Sequence, residues 1–194
     1  MNTQKSAFWE EKYVDSNIGW DIGEISTPLK EYIDQLKDKK IKILIPGAGN
    51  AYEAEYLHNN GFKNVTIVDW AQSALDNISN RVPGFSKENL LSCDFFEHIG
   101  SYDLILEQTF FCAINVDLRM QYVDKIHSLL KNNGKLVGLL FNIPLFIEHP
   151  PFGGEKSEYE QLFKSKFNFL TMENAYNSIH PRKGNELFII MQKI

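Results

Sequence analysis

Cysteine is nearly absent: Cys93 and Cys112 are the two in 194 residues, and no CxxC pair occurs. That excludes a disulfide framework and leaves no cysteine-based metal site, so the thiols read as reduced, as in a cytoplasmic protein. No run of about 18 apolar residues is present, so neither a membrane-spanning helix nor a membrane partner is expected. The stretch from Met1 to Lys5 leads into Trp9-Glu10-Glu11-Lys12, which lacks the apolar core of a signal peptide. Positive charge is not in surplus either. Lys and Arg number 20 against 25 Asp and Glu, for a net charge of −5, and the pI is about 5.6. A nucleic-acid binder ordinarily carries the opposite bias, so no nucleic-acid partner is expected. Internal repeats, low-complexity tracts and linkers are also missing.

What is there is apolar and aromatic. Hydrophobic residues reach 43% and aromatic residues 13%, with 14 Phe and 8 Tyr, enough for a large core in one domain spanning 1–194. The first 25 residues carry Phe8, Trp9, Tyr13 and Trp20 without clean periodicity and read as one helix and a loop. Thr27-Pro28 starts a helix with Leu29, Ile33 and Leu36 on one face, ending in the basic run 37–40. Residues 41–45 read as a buried strand, 51–60 as a helix stopped by Gly61, and 65–69 as a second strand. Ser73 caps a short helix through Ser79, and Pro83-Gly84 is a turn. Residues 89–93 and 102–106 are the third and fourth strands. Asp117 opens a helix to about Lys131 that Asn133-Gly134 ends, and 135–141 is the fifth strand. Residues 149–154 form a loop and 157–165 a helix, and 167–172 and 187–193 are late strands able to pair antiparallel at one edge. Strand alternating with helix predicts an α/β fold with a parallel sheet covered on both faces.

Ligands of such sheets bind at the carboxyl ends of the strands. The first strand ends in Gly47-x-Gly49, and Asp69 ends the second, 22 residues after Gly47. Glycines there admit a ligand close to the backbone, and the acid can accept two hydrogen bonds from a ribose diol. The plainer alternative is a tight turn and a helix-capping acid. The third glycine of the dinucleotide fingerprint is missing, since Gly47-Ala48-Gly49-Asn50-Ala51 runs into Tyr52, and Glu53 puts a negative charge in the helix's first turn. That combination disfavours a pyrophosphate, hence NAD and a Rossmann oxidoreductase. It suits S-adenosylmethionine, a nucleoside with an ammonium and a sulfonium but no phosphate. Asp94 and Phe95, after the third strand, can meet adenine, or can be a helix cap beside core phenylalanines.

Taken together these residues resemble the thiopurine S-methyltransferase family of class I methyltransferases, and within it the halide/thiol methyltransferase branch. The stretches that carry the resemblance include Gly19-Trp20-Asp21-Ile22-Gly23, Ile45-Pro46-Gly47-Ala48-Gly49, Val68-Asp69 and Cys93-Asp94-Phe95-Phe96. Further along are Phe111-Cys112-Ala113-Ile114, Pro150-Pro151-Phe152 and Arg182-Lys183-Gly184. The resemblance implies a seven-stranded Rossmann-like sheet with the last strand antiparallel. It implies S-adenosyl-L-methionine as methyl donor and S-adenosyl-L-homocysteine as product. It further implies a cofactor site of Gly47, Gly49, Asp69, Asp94, Phe95 and Gln108, under an N-terminal lid (1–26) bearing Trp9, Tyr13 and Trp20. The family often has Trp at the position of Tyr13 and Tyr at that of Gln108, and its Pro-Gly-Cys-Gly-Gly-Gly pattern has become Pro46-Gly47-Ala48-Gly49-Asn50-Ala51 here.

Methyl transfer from a sulfonium to a thiolate or halide needs alignment and a dry aromatic site more than a catalytic base. Trp9, Trp20 and Phe111 are the aromatic candidates, with core packing as the alternative for each. Arg182 and Arg119 are candidates for attracting an anionic acceptor, and Arg119 is notable because a helix's first turn disfavours a cation. Substrate-pocket candidates are thus Trp20, Gln108, Phe111, Arg119 and Arg182. His58, His98, His127 and His149 show no metal-ligand spacing and read as surface or satisfied core groups. Cys112 reads as a buried inert thiol near the pocket. The expected function is methyl transfer to a small thiol, a thiocyanate-like anion or a halide. The alternative is a methyltransferase-fold protein that binds the nucleoside without turnover.

Overall fold

The computed structural model describes residues 6–194. Residues 1–5 of the expected lid segment lie outside the described residues. Seven strands form one sheet: β1 (Ile43–Pro46), β2 (Val65–Asp69), β3 (Leu90–Ser92), β4 (Tyr102–Gln108), β5 (Leu130–Phe141), β6 (Phe167–Asn174) and β7 (Glu186–Lys193). Their order is β3-β2-β1-β4-β5-β7-β6. The first five run parallel, and β7 lies antiparallel to both β5 and β6. The expected class I architecture and the antiparallel last strand are both present.

Side-chain alternation explains why both faces are covered. Ile43 and Ile45 of β1 and Leu104 and Leu106 of β4 pack on one face with Leu29, Leu57 and Ile78. Leu44 and Ile105, from the same strands, pack on the other with Tyr122, Ile126 and Phe163. The helices divide accordingly. One face carries α2 (Thr27–Asp34), α3 (Tyr52–Asn59) and α4 (Gln72–Arg81), and the other carries α5 (Arg119–Leu129) and α6 (Lys156–Phe163). Helix α1 (Ser6–Val14) has no buried residue. Among the described residues no helix is long and apolar enough to cross a membrane.

Several element ends differ from expectation, each for a local reason. Helix α2 stops at Asp34, before the exposed basic run, and α3 starts at Tyr52 because Ala51 is left-handed (φ 55°). Ser73 caps nothing and instead lies inside α4, where its N–H and hydroxyl both donate to the Glu10 carboxylate of α1. Helix α5 begins at Arg119, after a 3₁₀ turn over 116–118 in which the Asn115 side chain accepts from Asp117 N–H. It ends at Leu129 because Leu130 already pairs with Tyr102.

The tip of β4 holds a buried acid. Glu107 is 0% exposed. Its Oε1 accepts from the N–H groups of Phe110 (2.8 Å) and Phe111 (2.9 Å), and the Tyr122 hydroxyl donates to Oε2 at 2.6 Å. Burial pushes this carboxyl up from 4.5 to about 7. The folded state therefore holds the proton more tightly than the unfolded chain. Its stabilising contribution is full below about pH 4.5 and is lost as pH rises through about 7. In urea unfolding, wild type should lose up to about 3 kcal/mol relative to Glu107→Gln over that window, because the amide keeps the neutral form's contacts. Parallel stability curves for the two proteins would contradict this.

Candidate active site

A cavity of about 520 Å³ opens over the carboxyl ends of the strands. Its floor starts at the turn from β1 into α3. Gly47 (φ 55°) and Gly49 (φ 54°) are left-handed there, where glycine carries no steric penalty. The turn also has no room for side chains. A Cβ on Gly47 would lie 2.1 Å from the Phe110 ring, and one on Gly49 would lie 2.8 Å from the Tyr13 hydroxyl. Asp69, at the end of β2, closes the turn: its Oδ2 accepts from Gly49 N–H and its Oδ1 from Ala71 N–H, each at 2.9 Å. Burial raises the Asp69 carboxyl above its usual range, and the backbone N–H groups of Ala71, Gly49 and Trp70 work against that rise. Beyond β3, Asp94 Oδ1 accepts from Phe96 N–H at 2.8 Å, and Phe95 packs on Phe110 at 5.1 Å between ring centroids.

The N-terminal segment forms the opposite wall. Trp20 meets Trp9 and Tyr13 edge-on, with ring centroids 5.5 and 5.9 Å apart. Burial first, and then the Asp69 carboxylate, push the Tyr13 hydroxyl well above its usual range, so it stays protonated. Asp21 anchors the segment to the β1–α3 turn. Its Oδ1 accepts from Gly23 N–H at 2.6 Å, and its Oδ2 accepts from the Asn50 amide and, at 3.3 Å, from the Tyr52 hydroxyl.

Arg182 reaches the segment from the other side. Its Nη2 donates to Trp20 O at 2.6 Å, its Nη1 to Glu186 Oε1 at 3.4 Å, and its guanidinium lies 5.6 Å from the Phe141 ring centre. Gln108, Phe141, Pro150, Pro151 and His149 complete this end of the cavity. The Gln108 Oε1 is buried with no hydrogen-bond partner among the described residues.

The cavity thus brings together Trp9, Tyr13, Trp20, Gly47, Gly49, Asp69, Asp94, Phe95, Gln108 and Arg182, all named from the sequence. Two other candidates lie elsewhere. The chain reverses at Thr109 (φ 59°), so Phe110 faces the cavity while Phe111 sits in the core, 1% exposed, against Tyr122 and Tyr159. Arg119 is buried behind the wall. It donates to Glu158 Oε1 (2.7 Å), Phe152 O (3.2 Å) and Gly153 O (2.6 Å), and it lies over the Phe111 ring at 4.7 Å. Its burial in the first turn is explained by these partners, and none of them leaves it facing an acceptor.

Phe110, Asp21 and Asn50 line the cavity without having been named as site residues, and His149, read as a surface or satisfied core group, is exposed but lines it too. Asp21 had a signal in the Trp-Asp-x-Gly stretch. Phe110 had none, because adjacent phenylalanines look alike until the backbone turn assigns their faces. Cys112 lies buried in the wall with its Sγ 3.3 Å from Thr109 O, and burial pushes its thiol far up, as befits an inert group.

The residues fit a nucleoside without phosphate. The bare turn is a cradle that a Cβ would fill, Asp69 keeps free lone pairs, and the buried Glu53 carboxyl occupies α3's first turn where a phosphate would need positive potential. Solved structures agree on the fold. A Burkholderia thailandensis 1,6-didemethyltoxoflavin-N1-methyltransferase with bound S-adenosylhomocysteine superposes with a TM-score of 0.75 at 17% identity, covering 97% of this chain and 86% of its own. A TehB-like S-adenosylmethionine-dependent methyltransferase from Corynebacterium glutamicum gives 0.70 at 16% identity, covering 97% and 98%.

Fold and cavity together define a class I methyltransferase that uses S-adenosylmethionine as methyl donor. Residues 4–192 match the family model for thiopurine S-methyltransferase (TPMT), and the chain belongs to that family. Its relatives include a probable thiol methyltransferase 2 of Arabidopsis thaliana, 27% identical over 96% of this chain and 84% of the relative. A thiocyanate methyltransferase 1 of the same plant is 25% identical over 95% and 83%. A thiopurine S-methyltransferase of Photobacterium profundum is 23% identical over 93% and 92%.

The Arg119 geometry makes a prediction. Arg119→Met should leave the Phe152 and Gly153 carbonyls without a donor, at about 1–3 kcal/mol for each group left unpaired. Urea unfolding would measure it, and a variant as stable as wild type would show that these contacts hold nothing.

Proposed function

We propose that this methyltransferase transfers the methyl group to a small thiol or to an anion of the thiocyanate or halide type. The observation that carries the reading is the acceptor end of the cavity. It holds one guanidinium, Arg182, beside the Phe141 ring, two prolines and the Gln108 amide. A soft sulfur or halide nucleophile suits such a wall, which combines apolar contact with one positive charge. The names of the plant relatives point the same way.

In this reading Gly47 and Gly49 let the donor's nucleoside approach the main chain, and Asp69 accepts from its ribose hydroxyls. Asp94 and Phe95 meet adenine. Trp9, Tyr13 and Trp20 cover the donor from the lid, and an aromatic face near a sulfonium contributes about 0.5–2 kcal/mol. Bound S-adenosylmethionine supplies an electrophilic methyl carbon. The chain's own residues hold the acceptor in line with it and keep water out, and well-oriented groups reach effective molarities of about 10⁵ M or more.

Incubation with S-adenosylmethionine and a panel of thiols, thiocyanate and iodide, read by mass spectrometry, tests the proposal. Methylated sulfur or halide products are expected. Tight binding of S-adenosylhomocysteine with no product from any of them would favour a protein that binds the nucleoside without turnover. Asp69→Ala should weaken S-adenosylhomocysteine binding by about 1–3 kcal/mol in calorimetry, the cost of losing a charged hydrogen-bond partner. Unchanged affinity would place the ribose elsewhere.

A further inference from the structure

The acceptor end lies over the tips of β4 and β5 and beside the start of β7, whereas Gly47, Asp69 and Asp94 mark the donor end over β1 to β3. His149 belongs to the acceptor end, at the exposed mouth of the cavity. Its Nδ1 lies 3.0 Å from Pro150 O. A carbonyl oxygen only accepts, so in the neutral ring this contact puts the proton on Nδ1 and the lone pair on Nε2. The ring is thus oriented by the backbone, and its solvent exposure gives a proton a route to water.

The other titratable groups of the cavity are poorly suited to take a proton from an acceptor. Tyr13 and Cys112 are held protonated far above neutral pH, and burial also raises the Tyr52 hydroxyl and the Cys93 thiol. Asp69 and Asp94 accept from backbone N–H groups at the donor end, and both oxygens of Asp21 are engaged. Arg182 and Lys12 are cations. The remaining carboxylates, Glu24 and Glu53, belong to the segment and helix on the donor side. The charged cavity group at the same end as His149 is Arg182, from before β7. Glu148 adjoins His149 in sequence.

We propose that His149 is the general base that lets this enzyme methylate a neutral thiol, rather than only acceptors that arrive as anions. The inference rests on the thiol reading above and narrows it. The thiol S–H bond breaks with its proton passing to His149 Nε2 and its electron pair staying on sulfur. That pair forms the new S–CH3 bond as the sulfonium's S–CH3 bond breaks, whose electrons return to the sulfur of S-adenosylhomocysteine. The imidazolium then loses its proton to solvent. The products are a thioether, S-adenosylhomocysteine and one proton.

The acceptors themselves provide the control, because iodide and thiocyanate carry no proton. Ethanethiol is protonated at neutral pH. His149→Asn keeps a side-chain N–H for Pro150 O and cannot take a proton. In this variant the ratio of kcat/KM for ethanethiol to kcat/KM for iodide or thiocyanate should fall by about 10²-fold or more. The variant's remaining thiol activity should rise with pH alongside the thiol's own ionisation. Nuclear magnetic resonance of the wild-type imidazole should show the Nδ1–H tautomer. Equal losses with ethanethiol and iodide, no loss with either, or an Nε2–H tautomer would overturn the proposal. Wild type that methylates iodide but no thiol would overturn it and leave the broader acceptor reading intact. Wild type that methylates neither would remove both.

Discussion

The hydrogen bond from Gly49 N–H to Asp69 Oδ2 holds the site together. It joins the turn that leaves β1 to the tip of the neighbouring strand, and it does so through an acid that also receives Ala71 N–H ahead of α4. The two carboxylate oxygens thereby hold backbone donors on both sides, and with about four lone-pair sites between them they keep room for a ligand. The turn it stabilises is demanding. Gly47, Gly49 and Ala51 are all left-handed, and at Ala51 the Cβ makes that conformation cost roughly 1–2 kcal/mol. Ala51 tolerates it because it is buried, its N–H donates to Ala48 O at 2.8 Å, and Arg81 donates to the carbonyl of Asn50 next to it. Removing Cβ atoms at Gly47 and Gly49 is what lets Phe110 and Tyr13 come in close. The same bare backbone then serves both packing and ligand approach.

The N-terminal segment has little core of its own, since α1 buries no residue. Its position comes from polar ties. Glu10 receives the backbone and hydroxyl donors of Ser73 on α4, Asp21 receives Asn50 and Tyr52, and Arg182 donates to Trp20 O. These ties end on three different parts of the cavity wall. All of them are part-buried hydrogen bonds between side chains or between side chain and backbone. The edge-on rings of Trp9, Tyr13 and Trp20 add aromatic contact to these ties.

The sheet and much of the cavity were legible because their signals are local. Glycines at a strand end, an acid ending the next strand and alternating apolar runs each follow from one segment's chemistry. Gly47, Asp69 and Asp94 could therefore be placed before any geometry was known. Phe111 and Arg119 could not, the first because its facing depends on a backbone turn and the second because its partners are distant in sequence. The facing of Phe110 and Phe111 is set by Thr109's left-handed turn and by Glu107 gripping both amides. The burial of Arg119 depends on Glu158 and the 152–153 carbonyls, more than thirty positions away. Ser73 resembled a cap by type, yet its donors go to Glu10, 63 residues earlier. For Arg119 and Ser73 a long-range contact outweighed a local preference, and one sequence carries no direct trace of that.

The cavity is electrically polar along its length. Carboxylates of Asp21, Asp69 and Asp94 line the donor end, and the guanidinium of Arg182 lines the acceptor end. A sulfonium cation suits the first and an anionic sulfur the second, so the protein's fixed charges favour the arrangement in which opposite charges meet and cancel. Arg182 is not a free cation, however. It is 3.4 Å from the buried Glu186 carboxylate and donates to Trp20 O. Burial raises that Glu186 carboxyl and Arg182 partly offsets the rise, so part of the guanidinium's field is spent on its neighbour. What remains can steady an anion that is already formed better than it can draw a proton off a neutral thiol. That limit on the fixed charge is why proton removal falls to a separate group, and His149, oriented by a carbonyl and open to water, stands where that group is needed.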